Sequence, residues 1–218
     1  MSNPVIVVVG AGPGLGASIA RRFGSAGYDV ALIARSQEKL ETLGRDLQQA
    51  GITTGWSAVD ITDDAALSEA ITRFGGHAGH LDVLHFNPSV FRQKTPLELT
   101  PDELLDDVRL GAAALLTAVQ AARTFMRAGA RITVTGSVAA DNPWNEAASL
   151  GVQKAALRNL VRSVDATLAP DGIRAMTLTV RGTLAPDTRF SPDLVAEALH
   201  RAATVPEESW QVEVPYDG

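Results

Sequence analysis

The 218-residue sequence predicts a single α/β domain over residues 1–218, a doubly wound parallel sheet of about seven strands with helices on both faces. Two observations carry that prediction. Short apolar or β-branched runs alternate with segments of helical apolar spacing from one end of the chain to the other. The first of these runs passes straight into a glycine-rich turn and then a helix, the unit from which such sheets are built. Composition agrees: 45% hydrophobic and 20% charged residues are ordinary for a soluble globular chain, and 218 residues can enclose a sizeable core.

Val5 to Val9 is an unbroken β-branched run and reads as a strand buried on both faces. Glycines follow at positions 10, 12, 14 and 16, and Ala17 to Phe23 opens a helix that ends near Gly27. Tyr28 to Ala34 is the second strand; after Arg35 and Ser36 a polar helix runs from Gln37 to about Ala50. Thr54 to Val59 is the third strand, and Thr62 is placed to cap a helix reaching about Phe74. Leu81 to Phe86 is the fourth strand, followed by the loop Asn87-Pro88-Ser89. Thr100-Pro101-Asp102-Glu103 combines a cap, a proline and an acidic first turn, and starts a long Ala/Leu-rich helix to about Met126. Arg131 to Thr135 is the fifth strand with Gly136-Ser137 at its exit, and a second long helix runs from about Glu146 to Leu168. Ile173 to Val180 is the sixth strand, Ser191-Pro192 starts a helix to about Ala203, and Gln211 to Val214 is the seventh strand.

A net charge of -6 with no basic block gives no footprint for nucleic acid. The absence of cysteine excludes disulfides, thiolate catalysis and Cys-ligated zinc. His77 and His80, set among glycines, read as solvated loop histidines, so no metal is expected, and His85 reads as a packed strand histidine. No apolar run has the length of a membrane span, and a strand beginning at residue 5 leaves no room for a signal peptide. The expected compartment is the cytoplasm.

In doubly wound sheets, ligands sit at the carboxyl ends of the strands, where the strand order reverses. After the first strand the glycines let the backbone approach an anion, and the following helix aims free N–H groups at it. The pattern G-x-G-x-x-G fails because its last glycine would fall on Leu15, whereas G-x-x-x-G-x-G fits through Gly10, Gly14 and Gly16. After the second strand stands Arg35, with no carboxylate for a ribose 2′-hydroxyl; an arginine there suits a 2′-phosphate. Asp60, Asn87 and Ser137 follow the third, fourth and fifth strands.

These residues resemble the short-chain dehydrogenase/reductase family over nearly the whole chain. Gly10-Ala11-Gly12-Pro13-Gly14-Leu15-Gly16 is similar to its glycine motif, with Val9 in place of the usual threonine. Val59-Asp60-Ile61-Thr62-Asp63 matches its adenine-contacting aspartate, and Phe86-Asn87-Pro88-Ser89 keeps the second asparagine of N-N-A-G. The resemblance implies a Rossmann fold that binds NADP in preference to NAD, through Gly10, Gly14, Leu15, Gly16, Arg35, Asp60, Asn87 and Lys154. It implies Ser137 and Lys154 as catalytic residues, a small carbonyl or alcohol as substrate, and a homodimer or homotetramer built on the two long helices. Leu150 stands at the family's tyrosine position, Arg109 at its helix asparagine, and Arg181-Gly182 at its proline-glycine pair.

The family's tyrosine supplies a proton, and losing a positioned acid costs roughly 10²–10⁴-fold in rate. Tyr28 and Tyr216 are too far along the chain from the pocket to replace it, which leaves Lys154, Glu146 or a bound water. Arg109 cannot donate a proton; it either clamps an anionic substrate or pairs with Asp106 or Asp107. Three readings therefore stand: an oxidoreductase with altered proton transfer, an inactive NADP(H)-binding sensor or subunit, and an S-adenosylmethionine methyltransferase. Against the last, Val8 replaces the acid before the loop and Ala34-Arg35 replaces the ribose acid. The segment from Thr183 to Pro192, where the family builds its substrate lid, is short.

Overall fold

Every residue of β1 (Val5–Val9) is buried, as an unbroken β-branched run demands. Each such side chain stabilises by roughly 1.5–3 kcal/mol relative to exposure, so this strand anchors the sheet. The computed structural model describes residues 2–218. Around β1 lie β2 (Asp29–Ala34), β3 (Thr54–Ala58), β4 (Val83–Phe86), β5 (Arg131–Ser137), β6 (Arg174–Val180) and β7 (Glu213–Tyr216). They form one seven-stranded sheet in the order β3-β2-β1-β4-β5-β6-β7, with every pairing parallel. The order reverses between β1 and β4, which opens a crevice at their carboxyl ends.

The crossovers are α1 (Leu15–Ser25), α2 (Gln37–Gln49), α3 (Asp64–Ala78), α4 (Pro101–Val108), α5 (Ala114–Arg123), α6 (Ala148–Leu168) and α7 (Pro192–Ala203). Alternate residues of each strand face opposite sides. Val7, Val9, Leu84 and Phe86 pack with α3, α5 and α6; Ile6, Val8 and Leu32 pack with α1, α2 and α7. Thr100 and Glu103 close the capping box at α4 that the sequence announces. Among the described residues no helix is long and apolar enough to cross a membrane.

Five features differ from the sequence reading. The cap of α3 is Asp63, which accepts from Ala66 N at 3.0 Å, because Thr62 already donates its hydroxyl to Asp60 at 2.8 Å. That helix runs past Gly75 and Gly76 to Ala78, so His77 is helical, not in a loop; a Cβ on Gly75 would collide with the Phe125 ring. The helix from Pro101 is interrupted by a π turn, Arg109–Ala113, in which Gly111 lies against the Gln153 side chain. Finally, α6 starts at Ala148 behind a 3₁₀ turn, which leaves Glu146 outside it, and β7 lies two residues later than expected.

Candidate functional site

The glycine loop is fixed from three sides. Gly10 has φ +88°, a conformation that favours glycine, and its N–H and that of Ala11 both donate to Ile33 O on β2. Asn87, leaving β4, donates its amide to Gly10 O at 3.1 Å. A Cβ on Gly16 would collide with that same carbonyl, so this glycine serves close packing of α1 on the loop. Gly12 and Gly14, by contrast, face open space, and no side chain caps α1 at Gly14. In the first turn of α1, Ala17 N–H is spent on Gly12 O at 2.9 Å, while among the described residues no backbone acceptor takes the N–H groups of Leu15 and Gly16.

On one side of the loop is a cavity of about 920 Å³ walled by the ends of β2 and β3: Arg35, Ser36, Lys39, Asp60 and Thr62. Asp60 Oδ1 accepts from the Thr62 backbone at 3.0 Å and its hydroxyl at 2.8 Å. These two bonds hold its carboxyl below the usual range, with Arg35 adding a smaller pull. Lys39 was not singled out from the sequence, although it follows Arg35 by four residues and brings a second cation to the same wall.

On the other side is a cavity of about 350 Å³. Its walls bring together Ser137, Leu150, Lys154, Asn87, Thr135, Val180, Gly182 and Leu184 with the glycine loop. The two cavities share Gly12, Asn87 and Ser89, so they are halves of one trough along the carboxyl edge of the sheet. Lys154 is buried and donates to Thr135 O at 3.0 Å and Pro88 O at 3.3 Å. Burial pulls its ammonium down to about 8. Ser137 Oγ accepts from Ala139 N at 3.2 Å, which leaves its own O–H free.

Behind this cavity runs a chain of hydrogen bonds with one direction. Asn87 spends its amide on Gly10 O, so its oxygen accepts from the Thr135 hydroxyl at 2.8 Å. Thr135 Oγ1 must then accept from His85 Nε2–H at 3.3 Å, and His85 Nδ1 accepts from the Thr133 hydroxyl at 2.9 Å. His85 is fully buried, and burial first, then the charge of Lys154, lowers its pKa to about 3. It is neutral, with the proton on Nε2.

Arg109, Asp106 and Asp107 also line the larger cavity. Arg109 leaves the π turn toward Thr62 O (3.0 Å) and Asp64 (3.0 Å), not toward Asp106 or Asp107. Buried Asp107 is instead taken by Arg92, both bonds at 2.9 Å, which outweighs the upward pull of burial and keeps its pKa low. Glu146 lines neither half of the trough, and nor do Tyr28 or Tyr216. Tyr216 donates to Arg189 O at 2.7 Å and packs edge-on against Phe190, tying the short segment after β6 to β7. His80 bonds to Asn3 O and Ala78 O (3.1 Å each).

Comparison with known proteins agrees with this geometry. A family model for short chain dehydrogenase matches residues 4–191. A short chain dehydrogenase of Pseudocercospora fijiensis is 29% identical over 184 residues, covering 82% of this chain and 59% of that protein. The cis-4-hydroxycyclohexanecarboxylate dehydrogenase of Sinomonas cyclohexanicum is 31% identical over 174 residues, 78% of this chain and 69% of that one. The chain thus spans a little over half to about two thirds of these curated relatives. Among solved structures, a metagenomic short-chain oxidoreductase in complex with NADP superposes with a TM-score of 0.87 at 27% identity, over 98% of this chain and 97% of that one. These matches leave the methyltransferase reading without support. With its doubly wound sheet, its glycine loop and a match over residues 4–191, the chain belongs to the short-chain dehydrogenase/reductase family.

Proposed function

We propose that this chain is an NADP(H)-dependent oxidoreductase that moves a hydride between its cofactor and a small carbonyl or alcohol, with proton transfer altered at Leu150. The observation that carries the reading is the single trough running from Arg35 and Lys39, past the glycine loop, to Ser137 and Lys154. Its residues fit the group. The open space over Gly14 and the uncapped start of α1 suit the pyrophosphate, and Arg35 with Lys39 suits a 2′-phosphate. Asp60 stands for the adenosine, and Asn87 with Lys154 for the nicotinamide end. When bound, the cofactor supplies or takes up the hydride.

The chain's own part is orientation and the proton. Ser137 offers a free O–H to a substrate oxygen. Leu150, one helical turn before Lys154, lines the cavity and has no proton to give. That leucine is also what favours a second reading, a protein that binds NADP(H) without turnover. Partner contacts fit best on α4, α5 and α6, where Leu105, Leu116 and Val152 are exposed large apolar residues, giving a homodimer or homotetramer.

Fluorescence titration with NADPH and NADH, and NADPH consumption with a panel of aldehydes and ketones, test the reading. NADPH is expected to bind more tightly. Leu150→Tyr, whose hydroxyl lies on the face of Lys154, is expected to raise reduction by roughly one to three orders of magnitude, within the range of a positioned general acid. A folded protein that binds neither cofactor overturns the proposal. Binding without turnover, rescued by Leu150→Tyr, selects the second reading.

A further inference from the structure

We propose that Lys154 itself carries the proton to and from the substrate oxygen. The proposal rests on the NADP(H)-dependent reading above and goes beyond it by naming the acid. Among the described residues lining the smaller cavity, Lys154 is the one ionisable side chain. The hydroxyl of Thr135 is committed to Asn87, and serine hydroxyls are too weakly acidic to stand alone. The titratable group that feels its charge is His85 on β4, which is neutral and points its own proton at Thr135. No carboxylate appears among the partners of the Lys154 ammonium.

The two carbonyls that hold Lys154 make the step reversible in place. As an ammonium it has three N–H donors; Thr135 O and Pro88 O take two, and the third is free for the substrate. As an amine it keeps the same two donors on the same carbonyls and turns a lone pair where the third proton was. With substrate bound, neither state leaves a buried donor orphaned, so no movement of the helix is needed. Burial without a counter-charge also brings its pKa to about 8, close to working pH, where a general acid is most effective. In the reduction, the substrate carbon receives the hydride and its electron pair from the reduced nicotinamide. The C=O π pair moves onto oxygen, and the bond from Nζ to its proton breaks as the new O–H forms. The carbonyl is reduced, the nicotinamide oxidised, and neutral Lys154 recovers its proton from solvent. Alcohol oxidation runs through the same atoms in reverse.

The test uses the three lysines of the chain: Lys39, Lys94 and Lys154. With ¹³C-labelled lysine, the Cε resonance of Lys154 in the ligand-free protein should titrate near pH 8 and be missing in Lys154→Arg. Arginine preserves the cation but cannot release its proton. At saturating NADPH, Lys154→Arg is expected to lose about 100-fold or more in single-turnover reduction of the same aldehyde and ketone panel, and saturation separates that loss from any change in cofactor affinity. In the parent, reduction should fall about tenfold per pH unit above the lysine midpoint. The proposal is overturned if Lys154 titrates in the ordinary lysine range and the rate is flat from pH 7 to 10. It is equally overturned if Lys154→Arg reduces as fast as the parent, or if the parent binds NADPH and turns nothing over. These results leave the cofactor site intact; absence of NADPH binding by the folded parent overturns the broader reading instead. Should Lys154→Arg fail to fold, the parent's lysine titration and pH profile decide alone.

Discussion

Arg35 and Lys39 share the wall of the larger cavity where β2 gives way to α2, with Asp60 opposite them at the end of β3. Two cations divide the work expected of one. A hydrogen bond to a charged group is worth about 1.5–3 kcal/mol, roughly 10- to 150-fold in affinity. Arg35→Ala should therefore weaken NADPH by no more than that and leave a residual preference over NADH. Only the double variant with Lys39→Ala should bind both cofactors alike. Kd values for NADPH and NADH across the three proteins measure this, and equal values in the parent would remove the 2′-phosphate site altogether. Arg35 was legible because it follows a strand; Lys39 was not, because one basic residue in the first turn of a polar helix looks like solvated surface. Arg109 was harder still. Its partner Asp64 sits on a different element, and only the fold brings the two within 3.0 Å.

At the scale of elements, the glycine loop separates two roles that its sequence merges. Gly14 faces open space at the start of α1, whereas Gly16 is pressed on the Gly10 carbonyl. Gly14→Val should yield a folded protein that fails to bind NADPH, since the side chain fills the anion's place. Gly16→Ala should lower the melting temperature as well, because loop and helix must part. Equal binding by folded Gly14→Val and its parent would make the loop structural only. The strands were legible to within two residues, since β-branched runs between turn signals admit few alternatives. Helix ends were less so. Asp63 and Thr62 compete for one cap, Gly75-Gly76 looks like a stop although Gly75 is held against the Phe125 ring, and the π turn at Arg109–Ala113 answers to Gln153 on another helix.

For the molecule as a whole, one buried and one half-buried imidazole set a pH dependence. Burial lowers His85 to about 3, and burial with nearby Arg22 lowers His200. Below the ordinary histidine pKa of about 6.5, the unfolded chain binds protons that the folded one refuses, so stability falls as the medium is acidified. The expected slope is up to about 1.4 kcal/mol per pH unit for each fully excluded proton between roughly pH 6.5 and pH 4.5, above the carboxylates. Urea midpoints over that window should show it, and His85→Val should flatten the slope although it lowers the plateau. An unchanged slope would mean that His85 is not the sensor. The line from Thr133 through His85, Thr135 and Asn87 to Gly10 also has an ancestry written into its polarity. Each member gives to the next, so an aliphatic letter at His85, Thr135 or Asn87 leaves a giver and a taker stranded, and one at Thr133 leaves a taker. Drift through these four positions is therefore expected in blocks, with the old set and its replacement separated by chains that grip the glycine loop less well.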